Sequence, residues 1–557
     1  MSRRVAIIGA GSSGLACIKC CLDEGLEPVC FESSDDIGGL WRFKDHPESN
    51  RASIYHSVII NTSKEMMCYS DYPIPAHFPN YMHNTLIMDY FRMYVDHFRL
   101  LKHIRFNTKV LQVKPRADFT RSGQWDVESE GKDGKKNKHI FDAVMICIGH
   151  HCHPNLPLQD FPGIDKFEGK YFHSRDYKTS EEWRNKKVVV VGIGNSGGDI
   201  AVELSRVTKQ LYLSTRRGAW IWYRVGTNGM PMDMSYTRLL KTVQGILPFN
   251  FMCGLAENRL NQKFDHNLYN LRPNHRLFSQ HPTVNDDLPN RILSGTVQVK
   301  PNIRGFHGSS VEFVDGSVVE DVDLVVFATG YSFSFPFLAS DVIPVSGNRA
   351  PLYKYVFPPE LQRPTLAVIG LVQPLGAIMP ISEMQARWAT RVFKGCLKLP
   401  SVDCMLDDIK YKEETMAGRY VTSPRHTIQV DYAVYMDEIA TMLGVRPNVA
   451  RLLLTDPKLG LNLLTGPITP YQYRLKGPGK WTGARQAILT QWDRVAQPFK
   501  TRPCDGVEAK RSLKWPLILL TAAGVAAYVN SSRLYAFLQD PAAILDRVKV
   551  SLPVLAH

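Results

Sequence analysis

Two glycine-rich stretches hold the residues whose types and spacing best suit chemistry. The first, Gly9-Ala10-Gly11-Ser12-Ser13-Gly14, follows an apolar, β-prone run at 5–8 and opens a helix expected over 15–23. A second apolar run at 28–31 ends in Glu32, 18 positions after Gly14. Strand, tight turn, helix, strand and terminal acid, in that order, predict a cradle for a dinucleotide. Gly9 permits the turn, Gly11 lets backbone N–H groups approach a pyrophosphate, and Gly14 lets the helix lie close to the strand. The helix N-terminus offers its positive end to the phosphates. Glu32 is placed to accept hydrogen bonds from both hydroxyls of an unphosphorylated ribose.

The second stretch is as well formed. Lys187-Val188-Val189-Val190-Val191 leads into Gly192-Ile193-Gly194-Asn195-Ser196-Gly197-Gly198, then a helix expected over 199–206. A strand at 210–214 ends in Thr215-Arg216-Arg217, with Thr215 18 positions after Gly197. A neutral Thr215 removes the carboxylate that would repel a 2′-phosphate, and Arg216 and Arg217 supply the cation that would bind it. The spacing predicts FAD on the first turn and NADPH on the second.

Other residues carry weaker signals. Gly38 and Gly39 would let a loop pass close to a flavin or phosphate, with Trp41 as an aromatic wall; the lesser alternative is an ordinary turn over a core Trp. Leu40 and Trp41 stand where flavin-dependent disulfide reductases carry a redox cysteine. Asn61, where an extended segment gives way to turn residues, can donate and accept at once, which suits a neutral oxygen intermediate; a loop-capping Asn is the plainer reading. Cys17 and Cys20 share one helix face without a second pair, so packing is expected rather than zinc. His150, His151, Cys152 and His153 lack ligand spacing and read as a loop. No metal site is expected.

The elements that must position these groups follow from the pattern. Residues 141–149 and 323–331 are buried strands ending at Gly149 and Gly330, which in a two-dinucleotide fold return beneath the cofactors. Between Ala219 and about Leu288 the strand–helix alternation lapses, and 236–278 looks mostly helical. It reads as an insertion that shapes a substrate route or touches a membrane, or as a self-contained helical subdomain. Past Tyr331 the chain is expected to return to the first domain, with a strand at 364–370 and a helix capped by Ser382. At the far end Lys510, Arg511 and Lys514 precede an apolar run at 515–529. At ~1.5 Å per residue that is shorter than a ~30 Å hydrocarbon core, so it suits a membrane anchor dipping into one leaflet or a strained span.

Composition sets bounds. A chain of 557 residues holds two or three cores. The first strand follows Met1-Ser2-Arg3-Arg4, so no secretory signal is expected, and the eleven cysteines are expected as thiols. The net charge of +14 fits phosphorylated cofactors or an anionic membrane surface. No basic run interleaved with aromatics stands out, and the Lys-rich loop at 132–138 reads as a solvated turn, so nucleic acid is not an expected partner.

The stretch Phe167-Glu168-Gly169-Lys170-Tyr171-Phe172-His173-Ser174-Arg175-Asp176-Tyr177 fits F-x-G-x-x-x-H-x-x-x-[YF]. With both glycine motifs, Gly38-Gly39-Leu40-Trp41, Asn61-Thr62-Ser63 and Ala328-Thr329-Gly330-Tyr331, the sequence resembles the vertebrate flavin-containing monooxygenases over nearly its whole length. The stretches 279–288 and 373–380 look most like the family's form five, which is associated with Baeyer–Villiger oxidation of ketones and with NADPH oxidase activity. Other forms, which oxygenate nitrogen and sulfur, tend to carry an acid where His281 stands.

The resemblance implies an α/β fold of two Rossmann-like domains with a helical insertion and a C-terminal membrane-anchoring helix. Its expected parts are an FAD domain at 1–153, an NADPH domain at 154–330 with the insertion at about 220–290, a return to the FAD domain at 331–445, an extension at 446–509 and a membrane-associated tail at 510–557. It places Gly9, Gly11, Ser12, Ser13, Gly14, Glu32, Gly39, Leu40, Trp41, Ile60, Thr62, Thr329, Gly330 and Gln373 at the cofactors. Asn61, Gly192, Gly194, Asn195, Ser196, Gly197, Gly198, Thr215 and Arg216 would serve NADPH, and Asn61 would also support a flavin C4a-hydroperoxide. His281 is a candidate for tuning that peroxide's ionisation. Small lipophilic substrates and O2, the endoplasmic reticulum membrane with cytosolic catalytic domains, and an open question of homo-oligomerisation complete the expectation. The other readings are an NADPH oxidase releasing peroxide and a low-turnover flavoprotein scaffold or sensor.

Overall fold

The computed structural model describes residues 3–48, 51–421, 423 and 426–502. In chain order its principal elements are β1 (Arg4–Ile8), α1 (Ser12–Asp23), β2 (Glu27–Phe31), β3 (Ile104–Arg105), β4 (Ala143–Ile146), β5 (Lys170–His173), β6 (Lys187–Val191), α2 (Asn195–Leu204), β7 (Gln210–Ser214), α3 (Arg238–Ile246), α4 (Phe249–Asn261), β8 (Val297–Lys300), β9 (Leu324–Phe327), β10 (Leu366–Val368), α5 (Met379–Lys394), α6 (Tyr432–Met442), α7 (Val449–Thr455) and α8 (Pro457–Thr465). Two five-stranded sheets form, in the orders β10-β4-β1-β2-β3 and β8-β7-β6-β9-β5, and every pairing in them is parallel.

The register explains the continuous apolar runs. Ile7 lies opposite Cys30 on one side and Met145 on the other, and Val190 opposite Leu213 and Val326. A parallel strand with neighbours on both edges and cover on both faces has no solvent side, so β1 and β6 need aliphatic residues at successive positions. Three antiparallel strands at Thr108–Pro115, Trp125–Gly131 and Lys136–Phe141 follow the other rule: Trp125, Val127 and Ser129 are buried, alternating with half-exposed neighbours. Of the Lys-rich segment, 132–135 form the turn of this hairpin, and 136–138 already belong to its last strand.

β10 pairs with β4, so the first sheet is completed by chain that has passed through the second. α5 then packs against α1. It begins at Met379 with Pro380 in its first turn, three residues before the expected cap; Ser382 is instead buried inside the helix, 3.0 Å from the Ser13 hydroxyl. A buried charge cluster ties these parts to the C-terminal segment. Arg474 donates to Glu383 at 2.7 Å and lies 3.0 Å from Asp71, which also pairs with Lys19 at 2.5 Å. The described cysteines, Cys17 and Cys20 among them, are unpaired thiols, as the packing reading expected.

The insertion is helical only in part. α3 and α4 form, but 262–276 is irregular, and a parallel pairing of Ile221–Trp222 with Thr283–Val284 closes it. Nor is it self-contained: α3 packs on α8, and its buried Arg238 is held by Asp437 of α6. Residues to Pro498 form one compact unit. The second unit begins at Phe499, and the tail at 510–557, with its expected anchor, lies outside the described residues. Among the described residues no helix is long and apolar enough to cross a membrane.

Candidate functional site

The two glycine turns share one geometry. Gly9 and Gly192 have φ of 100° and 102°, a region that glycine enters without steric cost. A Cβ on Gly14 would stand 1.9 Å from the Gly9 carbonyl oxygen, and one on Gly197 2.0 Å from that of Gly192. Each helix thus lies hard against its own turn. Gly11 and Gly194 are extended N-caps without side-chain caps, so first-turn N–H groups stay available to an anion. α2 starts at Asn195, which brings Ser196 and Gly197 into its first turn. Gly14, Gly192 and Gly198 shape the turns without lining the cavity described below; a Cβ on Gly198 would press on Thr283 at 3.1 Å.

Glu32 is buried and heavily bonded. One carboxylate oxygen accepts from the Ser34 amide and hydroxyl, each at 2.8 Å, and from Arg51 at 2.7 Å. Among the described residues the other accepts only the Ala10 amide, at 2.8 Å, which leaves it a lone pair for a ribose hydroxyl. Burial pushes this carboxyl up, but Arg51 and the backbone amides outweigh it and hold it below the ordinary carboxylate value. Gly39 passes so close to Gly11 that a Cβ would stand 3.1 Å from its Cα.

One cavity of about 980 Å3 joins the two turns. Gly9, Gly11, Ser12, Ser13, Glu32, Gly39, Leu40 and Trp41 line its first end, and Gly194, Asn195, Ser196, Gly197 and Gly330 its second. Ile60, Asn61, Thr62, His281 and Gln373 line it as well. Asn195 fixes its side chain by accepting the Val284 amide at 2.8 Å. Besides Gly14, Gly192 and Gly198, three more expected residues stand outside the lining. Thr329 donates to the Asn155 carbonyl at 2.5 Å, and Thr215 accepts the Gly218 amide at 3.0 Å. Arg216 is exposed just past the end of β7.

Around Asn61 the structure adds residues that sequence reading missed. Arg224 donates to the Asn61 side-chain oxygen at 2.6 Å, which leaves the amide N–H2 without an acceptor among the described residues. Arg224 is held in turn by Asp286, which accepts its backbone N–H at 3.1 Å and pairs with its guanidinium at 3.4 Å. Half-buried Asp233 accepts the Ser63 amide and hydroxyl at 2.7 and 2.9 Å, fixing the turn behind Asn61, and Tyr81 donates to the Arg224 carbonyl at 2.9 Å. Burial pushes the Asp233 carboxyl up to about 6 against the pull of the Ser63 and Tyr81 bonds. The insertion therefore supplies the groups that aim Asn61.

His281 is pushed down to about 4, first by burial and then by the nearby charge of His426, so it is neutral at pH 7. Its Nδ1 is buried without a partner among the described residues. The loop of His150, His151 and His153 also borders the cavity, where burial pushes His151 down to about 4. Its sequence spacing gave no hint of that placement.

Residues 2–529 match the model of the family described as Flavin-binding monooxygenase-like. The chain belongs to this family. Flavin-containing monooxygenase 5 of Mus musculus is 57% identical over 95% of this chain and 99% of its own, and that of Homo sapiens 58% identical over 90% and 94%. Dimethylaniline monooxygenase [N-oxide-forming] 2 of Cavia porcellus is 49% identical over 96% and 100%. Among solved structures, S-allyl-L-cysteine S-oxygenase from Allium sativum superposes with a TM-score of 0.60 at 26% identity, covering 82% of this chain and 92% of that one. Cyclohexanone monooxygenase, at 16% identity and a TM-score of 0.58 over 79% and 97%, shares the fold. As a member of the flavin monooxygenases the protein is an NADPH-dependent enzyme with FAD as its flavin. The site fits both groups: two uncapped helix N-termini with close-packed glycines, one open acceptor on Glu32, and a single cavity joining them.

Proposed function

We propose that the enzyme transfers one atom of O2 to small lipophilic substrates, converting ketones to esters by Baeyer–Villiger oxidation and also oxygenating nitrogen and sulfur. In the balanced ketone reaction, ketone, O2, NADPH and H+ give ester, NADP+ and water. The observation that carries this reading is a neutral His281 lining the same cavity as an Asn61 whose amide is held by Arg224. Bound FAD, reduced by NADPH, supplies the activated oxygen. The protein's part is placement. The Asn61 N–H2 donates to a neutral oxygen species, the cavity walls restrict water, and the neutral His281 ring offers an acceptor without adding positive charge.

Aerobic NADPH oxidation with a ketone panel and a thioether, with products and H2O2 measured together, tests the proposal. Ester formation is expected; H2O2 equal to the NADPH consumed, with no oxygenated product, would make the protein an NADPH oxidase. His281→Leu should leave flavin reduction by NADPH intact and change the ester-to-peroxide ratio. An unmoved ratio removes His281 from the chemistry. We also propose that residues 510–557 anchor the enzyme to the endoplasmic reticulum membrane with its catalytic part in the cytosol, supported by the basic collar and the apolar run at 515–529. A chain ending at 509 should then leave the microsomal fraction, and retention there would refute it.

A further inference from the structure

Apart from the nucleotide cavity, a second one of about 540 Å3 is lined by residues of α3, α6, α7 and α8 and of the loops at 444–448 and 476. Four of its lining residues are cations, Arg238, Lys241, Arg446 and Lys476, against a single carboxylate, Asp437. Three positive charges are in excess.

Asp437 is already committed. Both terminal nitrogens of Arg238 reach it at 3.0–3.1 Å, Lys241 at 2.5 Å, and the Tyr473 hydroxyl donates to it at 2.9 Å. Arg238 gives its Nε–H to Gln472 at 2.8 Å, and Lys241 a second N–H to the Ala433 carbonyl at 3.1 Å. Arg446 comes only to 3.7 Å of Asp437, and Lys476 has no ion pair among the described residues. Among the described residues the donors left over are therefore those of Arg446 and Lys476, the third N–H of Lys241 and one Nη2–H of Arg238. Crowding is felt within the group. Burial first, then the charges of Arg238 and Arg446, pull the Lys241 ammonium below its ordinary value even with Asp437 in contact. The hydroxyls of Thr242 and Thr441 donate to the carbonyls of Arg238 and Asp437, so toward the cavity they can act as acceptors.

We propose that this cavity binds a multiply charged phosphate anion, a phosphorylated polyol or a diphosphate, separately from FAD and NADPH. Several partly paired cations in one concavity are neutralised best by an anion carrying more than one charge, and charge-assisted N–H···O bonds reward phosphate oxygens in particular. The volume lies within the ~300–1,000 Å3 of small-molecule sites and exceeds what one phosphate fills. The threonine acceptors match hydroxyls on a polyol. A lipid headgroup and a soluble phosphate present the same chemistry here.

The test uses full-length, FAD-loaded enzyme with saturating NADP+, so that the nucleotide sites are filled. Inorganic pyrophosphate and inositol trisphosphate are titrated by calorimetry. Sedimentation is run with phosphatidylcholine vesicles, with and without phosphatidylinositol bisphosphate. At least one soluble anion should bind, more weakly at higher salt, and Arg446→Gln/Lys476→Gln should lose on the order of tenfold or more in affinity while NADPH oxidation is unchanged. If the phosphoinositide enhances sedimentation and inositol trisphosphate competes it away, the proposal holds with a lipid as the source. If the soluble anions bind and the phosphoinositide adds nothing, it holds with a soluble source. No binding of either soluble anion, or equal binding by the double variant, overturns it. Loss of NADPH oxidation in the unaltered enzyme would count against the proposed function and leave this result standing.

Discussion

An Asn side chain at an oxygen-handling position is useful only if its amide points one way. At Asn61 the choice is made by Arg224, whose guanidinium can only donate and therefore takes the oxygen end. Removing either residue should let reducing equivalents drain into H2O2. We expect Asn61→Ala and Arg224→Gln each to raise the H2O2 released per NADPH, Asn61→Ala the more, with flavin content unchanged. A lost hydrogen bond to a charged donor is worth ~1.5–3 kcal/mol, so the rate of unproductive loss should rise roughly ten- to a hundredfold. Unchanged H2O2 yield in Arg224→Gln would show that Asn61 is oriented by something else. The paired turns give a second residue-level contrast. Gly14→Ala drives a methyl into the Gly9 carbonyl and should yield colourless protein, whereas Gly197→Ala should keep its flavin and lose NADPH reduction. Yellow, NADPH-reducible protein from both variants would contradict the close packing.

At the scale of elements, the insertion and the first domain meet through a half-buried acid. Asp233 has its pKa raised from 3.8 to about 6. A group raised on folding contributes stability in full below its unfolded pKa, and that contribution is lost as pH rises through the folded one. The window here runs from about pH 4 to about pH 6, and two units correspond to ~3 kcal/mol between the extremes. Asp233→Asn keeps acceptors for Ser63 without the charge, so its thermal midpoint should change less between pH 5 and pH 8 than that of the unaltered enzyme. Equal changes in both proteins would show that Asp233 is not the responsible group. This contact also marks the limit of sequence reading. The glycine turns were legible because every part of them, from strand to terminal residue, lies within about thirty positions, and local spacing fixes their geometry. Arg224 lies 163 positions from Asn61 and Asp233 170 from Ser63, so their partnership follows from how the insertion folds back. The misplaced start of α5 has a different cause. Ser382 is a good cap by type, but Pro380 in the first turn and burial against Ser13 move the boundary to Met379. The histidine loop was legible as a loop, and only the closure of the two sheets shows that it borders the cavity.

For the molecule as a whole, the question is what holds a chain that leaves the first sheet, builds a second and returns. Aliphatic packing of α5 on α1 supplies attraction but little register, since hydrophobic contact is not directional. The buried cluster around Arg474 supplies direction: it joins α1 through Lys19, the segment after Asn61 through Ser70 and Asp71, and α5 through Glu383. Such a cluster is no proof of added stability, because desolvating the charges offsets most of their attraction. Breaking it is another matter. Arg474→Met would strand Glu383 in the core and leave Asp71 to Lys19 alone, at a cost of ~3–5 kcal/mol. Because Ser382 of α5 touches Ser13 at the first turn, the loosened helix should also slacken the flavin site. The expected outcome is a lower thermal midpoint together with faster flavin loss on dilution, while the triple variant Arg474→Met/Glu383→Met/Asp71→Leu regains much of the midpoint. If the single and triple variants melt together, the cluster is not what aligns the returning chain.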